Sequence, residues 1–162
     1  MKTFLFIAPS FFTRALAALA LGLALMGLHG SAMALTTEHG TICKPYGNSN
    51  TAGLYASIYG VANYSGAGLA VICPVVRTVT VPAGSSFSVW VDGSAAASDT
   101  TYCSLYSTNY DGSYLGAASF SATGAFSRLL TLPDTQVPYY SSQSVYCYVP
   151  NNGNLYDIEP NQ

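Results

Sequence analysis

Hydrophobic and polar residues alternate through much of the sequence beyond residue 40. In TYCSLYS (101–107), Cys103 and Leu105 share one side, while Tyr102, Ser104 and Tyr106 share the other. In SVYCYVP (144–150), Val145, Cys147 and Val149 fall together, with Tyr146 and Tyr148 opposite. FSVWVD (87–92) sets Phe87, Val89 and Val91 against Ser88, Trp90 and Asp92, and ASFSA (118–122) sets Ala118, Phe120 and Ala122 against Ser119 and Ser121. A period of two is the signature of a half-buried strand. No stretch beyond residue 34 combines a helical period with caps.

Turn residues punctuate these runs. Pro82 and Gly84 separate TVTV from FSVWV, Asp92-Gly93 and Asp111-Gly112 follow strands, and Thr123-Gly124, Pro133-Asp134 and PNNGN (150–154) mark later breaks. The pattern predicts an all-β chain of about eight strands, near 40–43, 56–63, 69–76, 78–81, 87–92 and 101–107, a hairpin over 115–132, then 145–149 and 155–159. Strands at this spacing suit an antiparallel β-sandwich of jelly-roll-like form. GLAVICPVVR (68–77) is apolar on both parities, which predicts a strand covered on both faces or central to the sandwich. Pro74 inside it predicts an edge, a bulge or a strand break after Cys73, and a break would let CPVVR cross between sheets. Arg77 ends that run, either reaching for solvent or gripping a ligand.

The first 34 residues follow a different rule. Lys2 and Arg14 precede an unbroken apolar stretch, ALAALALGLALMGL (15–28), and Ala32-Met33-Ala34 supplies a small-residue cleavage signal. This is the layout of a signal peptide over 1–34, with a core too short for a bilayer span. Leu35, not Cys, follows the expected cut, which argues against a lipid anchor. The expectation is a secreted or periplasmic domain over 35–162, with no membrane insertion after cleavage.

Charge is scarce in that domain. Lys44, Arg77 and Arg128 face seven carboxylates, a balance of −4. No basic patch exists to neutralise a row of phosphates, so nucleic acid is not an expected partner.

All four cysteines lie beyond residue 34. An even count in an exported chain predicts two disulfides. Three pairings exist; Cys43–Cys73 with Cys103–Cys147 is favoured, because each would tie neighbouring segments of a sandwich. Gaps of about 30 residues, with His39 the only histidine beyond residue 34, do not suit a zinc site.

The set GTICKP (40–45), ASIYGVANYS (56–65), CPVVR (73–77) and YCSLYS (102–107) resembles an uncharacterised family of small exported bacterial proteins. That family carries a G-x-x-C-x-P opening and a C-P-[IV]-V-R element. The resemblance implies export, two disulfides and a β-sandwich, and it implies no activity.

Candidate catalytic chemistry is thin. A Ser-His-Asp arrangement needs a positioned base, and His39 lies where an exported chain would begin and is expected to be disordered. Paired cysteines leave no thiol nucleophile. Asp157 and Glu159, two apart on a strand, share a face and form the one candidate carboxylate pair for glycoside or ester hydrolysis, although a solvated strand end looks the same. Asp92, Asp99, Asp111 and Asp134 adjoin turns, where Asp bonds local backbone. With loop carbonyls they are the candidate calcium set, but no D-x-D-x-D-G loop supports one. No cofactor or metal is expected.

Tyrosine is the residue in excess: thirteen, all beyond residue 34. If the cysteine face is the core face, Tyr102, Tyr106, Tyr146 and Tyr148 point outward. A Cys103–Cys147 bond would bring them to one patch, with Tyr110 and Tyr114 at its rim. Outward tyrosines stabilise sheets without any ligand. They also stack on sugar rings and populate protein interfaces. The reading is therefore a non-enzymatic structural or binding domain. The alternative is a small carbohydrate-binding module on the tyrosine face, and the third reading is a small hydrolase. The expected partners are a glycan or another surface protein.

Overall fold

The alternation in 101–107 becomes a strand in which the odd-numbered residues are buried and the even-numbered ones reach the surface. The computed structural model describes residues 38–47, 51–77 and 84–161. Among them are eleven strands: β1 (Glu38–His39), β2 (Lys44–Pro45), β3 (Leu54–Ser57), β4 (Gly60–Asn63), β5 (Leu69–Val75), β6 (Phe87–Ser94), β7 (Thr101–Thr108), β8 (Tyr114–Ala122), β9 (Ala125–Leu132), β10 (Ser142–Val149) and β11 (Asn154–Asn161). One sheet has the order β3-β4-β11-β6-β9, with β1 also paired to β11. The other has the order β2-β5-β10-β7-β8. Every pairing is antiparallel.

From β4 onward the chain changes sheet at every connection except β7–β8. That alternation gives the sandwich its jelly-roll-like character. Phe87, Val89, Val91, Leu130, Leu132, Leu155 and Ile158 face inward from one sheet; Leu69, Val71, Leu105, Val145, Val149 and three cysteines face them from the other. Contact between these two inner faces excludes water and is the main source of stability.

Both disulfides form as favoured, Cys43–Cys73 and Cys103–Cys147. Each lies within the five-stranded sheet: Cys43 adjoins β2 and bonds β5, while Cys103 and Cys147 are direct cross-strand partners on β7 and β10. No free cysteine remains among the described residues.

Several sequence expectations are corrected. Residues 115–132 do not form a hairpin: β8 and β9 belong to different sheets, and the turn at Thr123-Gly124 carries the chain around the flank of the sandwich. Outward Ser and Thr on both strands gave no signal of that change. The expected strand over 56–63 is two strands, β3 and β4, joined at Ile58 and Tyr59. Gly60 makes this bend with φ of 110°, and a Cβ there would strike the Leu155 carbonyl oxygen. The opening 40–43 segment is a 3₁₀ turn between two short strands.

Strand β5 neither breaks at Pro74 nor crosses between sheets. It continues to Val75, with Pro74 opposite Ser144 on β10. On the other flank, β2 reaches only Ile72 and Val71, so Pro74 lies past the end of that ladder, where a residue without an N–H is tolerated. β5 is an inner strand of its sheet, between β2 and β10, but it is not covered on both sides, since Pro74 is exposed and Ile72 only half-buried. The expected strand over 78–81 lies outside the described residues.

A buried polar knot closes one end of the sandwich. Asn63, with no exposed surface, donates through Nδ2 to the carbonyls of Ala67 (2.7 Å) and Val149 (2.8 Å). Its Oδ1 accepts from the Ser65 N–H at 3.0 Å. One side chain thus joins β4 to β10 across the two sheets, with both amide N–H groups and the amide oxygen bonded.

Candidate functional site

Because Cys103, Leu105, Val145 and Cys147 are buried, the intervening residues of β7 and β10 form the outer face of the five-stranded sheet. Tyr102 stands opposite Tyr148, Ser104 opposite Tyr146, and Tyr106 opposite Ser144. On the next strand, Ile72 lies beside Tyr146. Beyond β2, the Tyr46 N–H donates to the Ala70 carbonyl at 2.9 Å. This bond sets the Tyr46 ring edge-on against Tyr146, with centroids 5.3 Å apart. Tyr114, at the start of β8, supports Tyr106 at 6.4 Å, again edge to face.

Between these tyrosine pairs lies an open groove of about 450 Å³, lined by Tyr46, Ile72, Tyr106, Thr108, Ser144 and Tyr146. Rings and an isoleucine supply apolar surface, and two aliphatic hydroxyls and the phenols supply hydrogen bonds. The lining contains no carboxylate, imidazole or cation.

The six tyrosines singled out from sequence are all near or at the surface, and the register sets Tyr102, Tyr106, Tyr146 and Tyr148 on one outer face of β7 and β10, although only two of them line the groove. Tyr106 and Tyr146 line the groove, and Tyr114 backs Tyr106. Tyr148 is not part of the lining; its hydroxyl end lies over Gly68, where any Cβ would collide with it. Tyr102 is 55% exposed beside it. Tyr110 turns away to a second cluster, 6.5 Å from Tyr140, which itself packs on Tyr139 at 4.8 Å.

Sequence reasoning missed Tyr46, Ile72, Thr108 and Ser144 as groove residues. The motif C-K-P-Y (43–46) held the one available clue, since the Cys43–Cys73 bond brings Tyr46 alongside β5.

The other candidate groups are engaged elsewhere. His39 is ordered in β1, contrary to expectation. Its Nδ1 accepts from the Thr41 N–H at 3.4 Å and lies 3.1 Å from Thr41 Oγ1, so Nε2 is assigned the proton and donates to the Ile58 carbonyl at 3.0 Å. It stands opposite Asp157 in register, with no serine nucleophile among its partners.

Asp157 and Glu159 lie in the middle of the six-stranded sheet, not at a frayed strand end. They face outward opposite Asp92 and Trp90, on the side of the sandwich away from the groove. Arg77 neither extends freely into solvent nor faces the groove: Nη2 donates to the Tyr139 carbonyl at 2.6 Å.

The turn aspartates are dispersed. Asp134 accepts from the N–H groups of Gly84 (2.9 Å) and Thr135 (2.8 Å). Asp111 Oδ1 accepts from the Ser113 hydroxyl at 2.6 Å and the Ser113 N–H at 2.9 Å, and these bonds hold its carboxyl below the ordinary value. Asp99 Oδ1 accepts from the Ser98 hydroxyl at 3.4 Å. Among the described residues, no three His, Cys, Asp or Glu side chains gather as metal ligands. No helix among them is long and apolar enough to cross a membrane.

No family model matches the sequence, and no curated protein matches it. Solved structures with a similar backbone include a xylan-binding module, CBM15, at 10% identity over 78% of this chain and 95% of the module, with a TM-score of 0.47. A carbohydrate-binding module CBM36, solved in complex with calcium and xylotriose, matches at 19% identity over 78% of this chain and all of that one, with a TM-score of 0.44. CBM35 from Paenibacillus barcinonensis matches at 12% identity over 78% and 98% of the two chains, with a TM-score of 0.47.

Proposed function

We propose that this chain is an exported, non-enzymatic binding domain whose tyrosine groove takes a carbohydrate. The observation that carries the reading is the groove itself, an open trough lined by Ile72, Ser144, Tyr46, Tyr146 and Tyr106. Sugar rings offer apolar C–H faces and equatorial hydroxyls together. A site for them needs flat aromatic surface with hydroxyl partners, which is what this lining supplies. No charged side chain lines the groove, so a neutral polysaccharide suits it best. Without a carboxylate or imidazole, the lining lacks a general acid or base, which supports binding over hydrolysis.

Export is supported by the signal-peptide layout of residues 1–34 and by two buried disulfides, which persist in oxidising compartments. N-terminal sequencing of protein recovered from periplasm or medium tests it. The binding reading is tested by affinity electrophoresis on a panel of soluble neutral polysaccharides. Retardation by at least one polymer is expected. Tyr146→Ala and Tyr106→Ala should each weaken it roughly tenfold or more while leaving the thermal unfolding transition cooperative. No retardation on any polymer overturns the reading.

A further inference from the structure

Among the described residues the sheets leave five edge strands: β3, β9 and the two-residue β1 on one sheet, β2 and β8 on the other. An edge strand presents unpaired N–H and C=O groups to any other strand. Folded proteins blunt this template with short strands, proline, bulges or inward-facing charges. Strand β2 has two residues and one is Pro45; β3 has four residues. Strand β9 is long, but Arg128 sits opposite the buried Val91, on the inward parity, and is itself exposed. That charge opposes pairing along β9.

Strand β8 has none of these protections over most of its length. It runs nine residues, YLGAASFSA, without a charge or a proline, and β7 is its one strand partner among the described residues. The register shift opposite Ser107 and Thr108 confines its irregularity to the Tyr114 end. From Gly116 to Ala122 the ladder is regular.

We propose that β8 pairs antiparallel with β8 of a second copy of this chain, about a two-fold axis through Ser119. The two five-stranded sheets then become one continuous sheet of ten strands. A two-fold interface must be self-complementary, and 116–122 is so. With Ser119 on the axis, Ala118 faces Phe120 of the second copy on the inward side, small against large. Ala117 faces Ser121 on the outward side, and Gly116 faces Ala122. No pair of like charges or of two bulky side chains is brought into opposition. The pairing also sets the two tyrosine grooves on the same face of one sheet.

Sedimentation velocity of the purified protein over a concentration series tests this. The wild-type chain is expected to dimerise. Ser119 is exposed on the outer face, so Ser119→Lys and Ser119→Glu each place like charges opposite one another at the axis, and each variant alone should lose the dimer. An equimolar mixture of the two should regain it as a heterodimer. Circular dichroism melts establish that the variants fold. Should one of them not fold, Ala117→Lys/Ser121→Lys supplies the repulsive arm and Ala117→Lys/Ser121→Glu the restoring one. A wild-type monomer at every concentration, a Ser119→Lys dimer, or folded variants whose mixture stays monomeric each overturn the proposal.

Discussion

Tyr102 and Tyr148 stand directly opposite one another on β7 and β10, one residue along each strand from the Cys103–Cys147 disulfide. The disulfide points into the core and the two rings point out, so a single register fixes both. Neither ring lines the groove. Tyr102→Ala should therefore cost about 0.5 kcal/mol of stability, the scale of one cross-strand side-chain pair, and leave polysaccharide retardation unchanged. Paired urea melts and affinity gels check both halves.

Removing that disulfide acts on stability far more strongly. Cys103→Ala with Cys147→Ala opens a loop of 44 residues, and the expected loss is about 3–4 kcal/mol by loop-closure entropy. Urea unfolding of the double variant against the oxidised parent measures it.

Asn63 sits at 0% exposure and its side chain makes three hydrogen bonds to backbone, on 65–67 and on β10. Asn63→Ala leaves the Val149 and Ala67 carbonyls and the Ser65 N–H without these partners. A loss of about 2–3 kcal/mol is expected, read as a lower thermal midpoint.

Thr101 presents the reverse situation. It is fully buried and its Oγ1 has no hydrogen-bond partner. Thr101→Val keeps the branched shape and removes the desolvated hydroxyl, so a gain of about 1 kcal/mol is expected in the same melt.

Asp111 gives the pH dependence. The Ser113 hydroxyl, and after it the Ser113 N–H, favour the ionised carboxylate and lower its folded-state pKa. The resulting stabilisation is complete above the unfolded-state pKa and fades as pH falls through the lower folded value. The Asp111 carboxyl resonance in an NMR titration should therefore turn over below the ordinary aspartate midpoint. Ser113→Ala should move the midpoint up.

Much of the sandwich was legible because period two is a strong signal wherever one face is buried. Cys103, Leu105, Val145 and Cys147 lie inward and the tyrosines between them outward, as their parity indicates. Connections were legible only where local chemistry differed. Nothing in FSATGAF (120–126) separates a hairpin from a passage between sheets, because both need the same two-residue turn. The groove was half legible for a related reason. Parity gives the face a residue occupies but not its neighbours across strands, so Tyr106 and Tyr146 were found while Tyr46 and Ile72 were not. Their approach depends on the Cys43–Cys73 bond and on the order of β2, β5 and β10.

Neither sulfur bridge spans the gap between the two layers. One layer is a cross-linked plate that carries the aromatic trough; the other is held against it by interior packing and by the Asn63 bonds at one end. Denaturant can thus peel the layers apart without breaking a covalent bond, and any residual order in the oxidised, unfolded chain should gather in the trough-bearing half. An oxidising environment selectively hardens the surface that would meet a ligand.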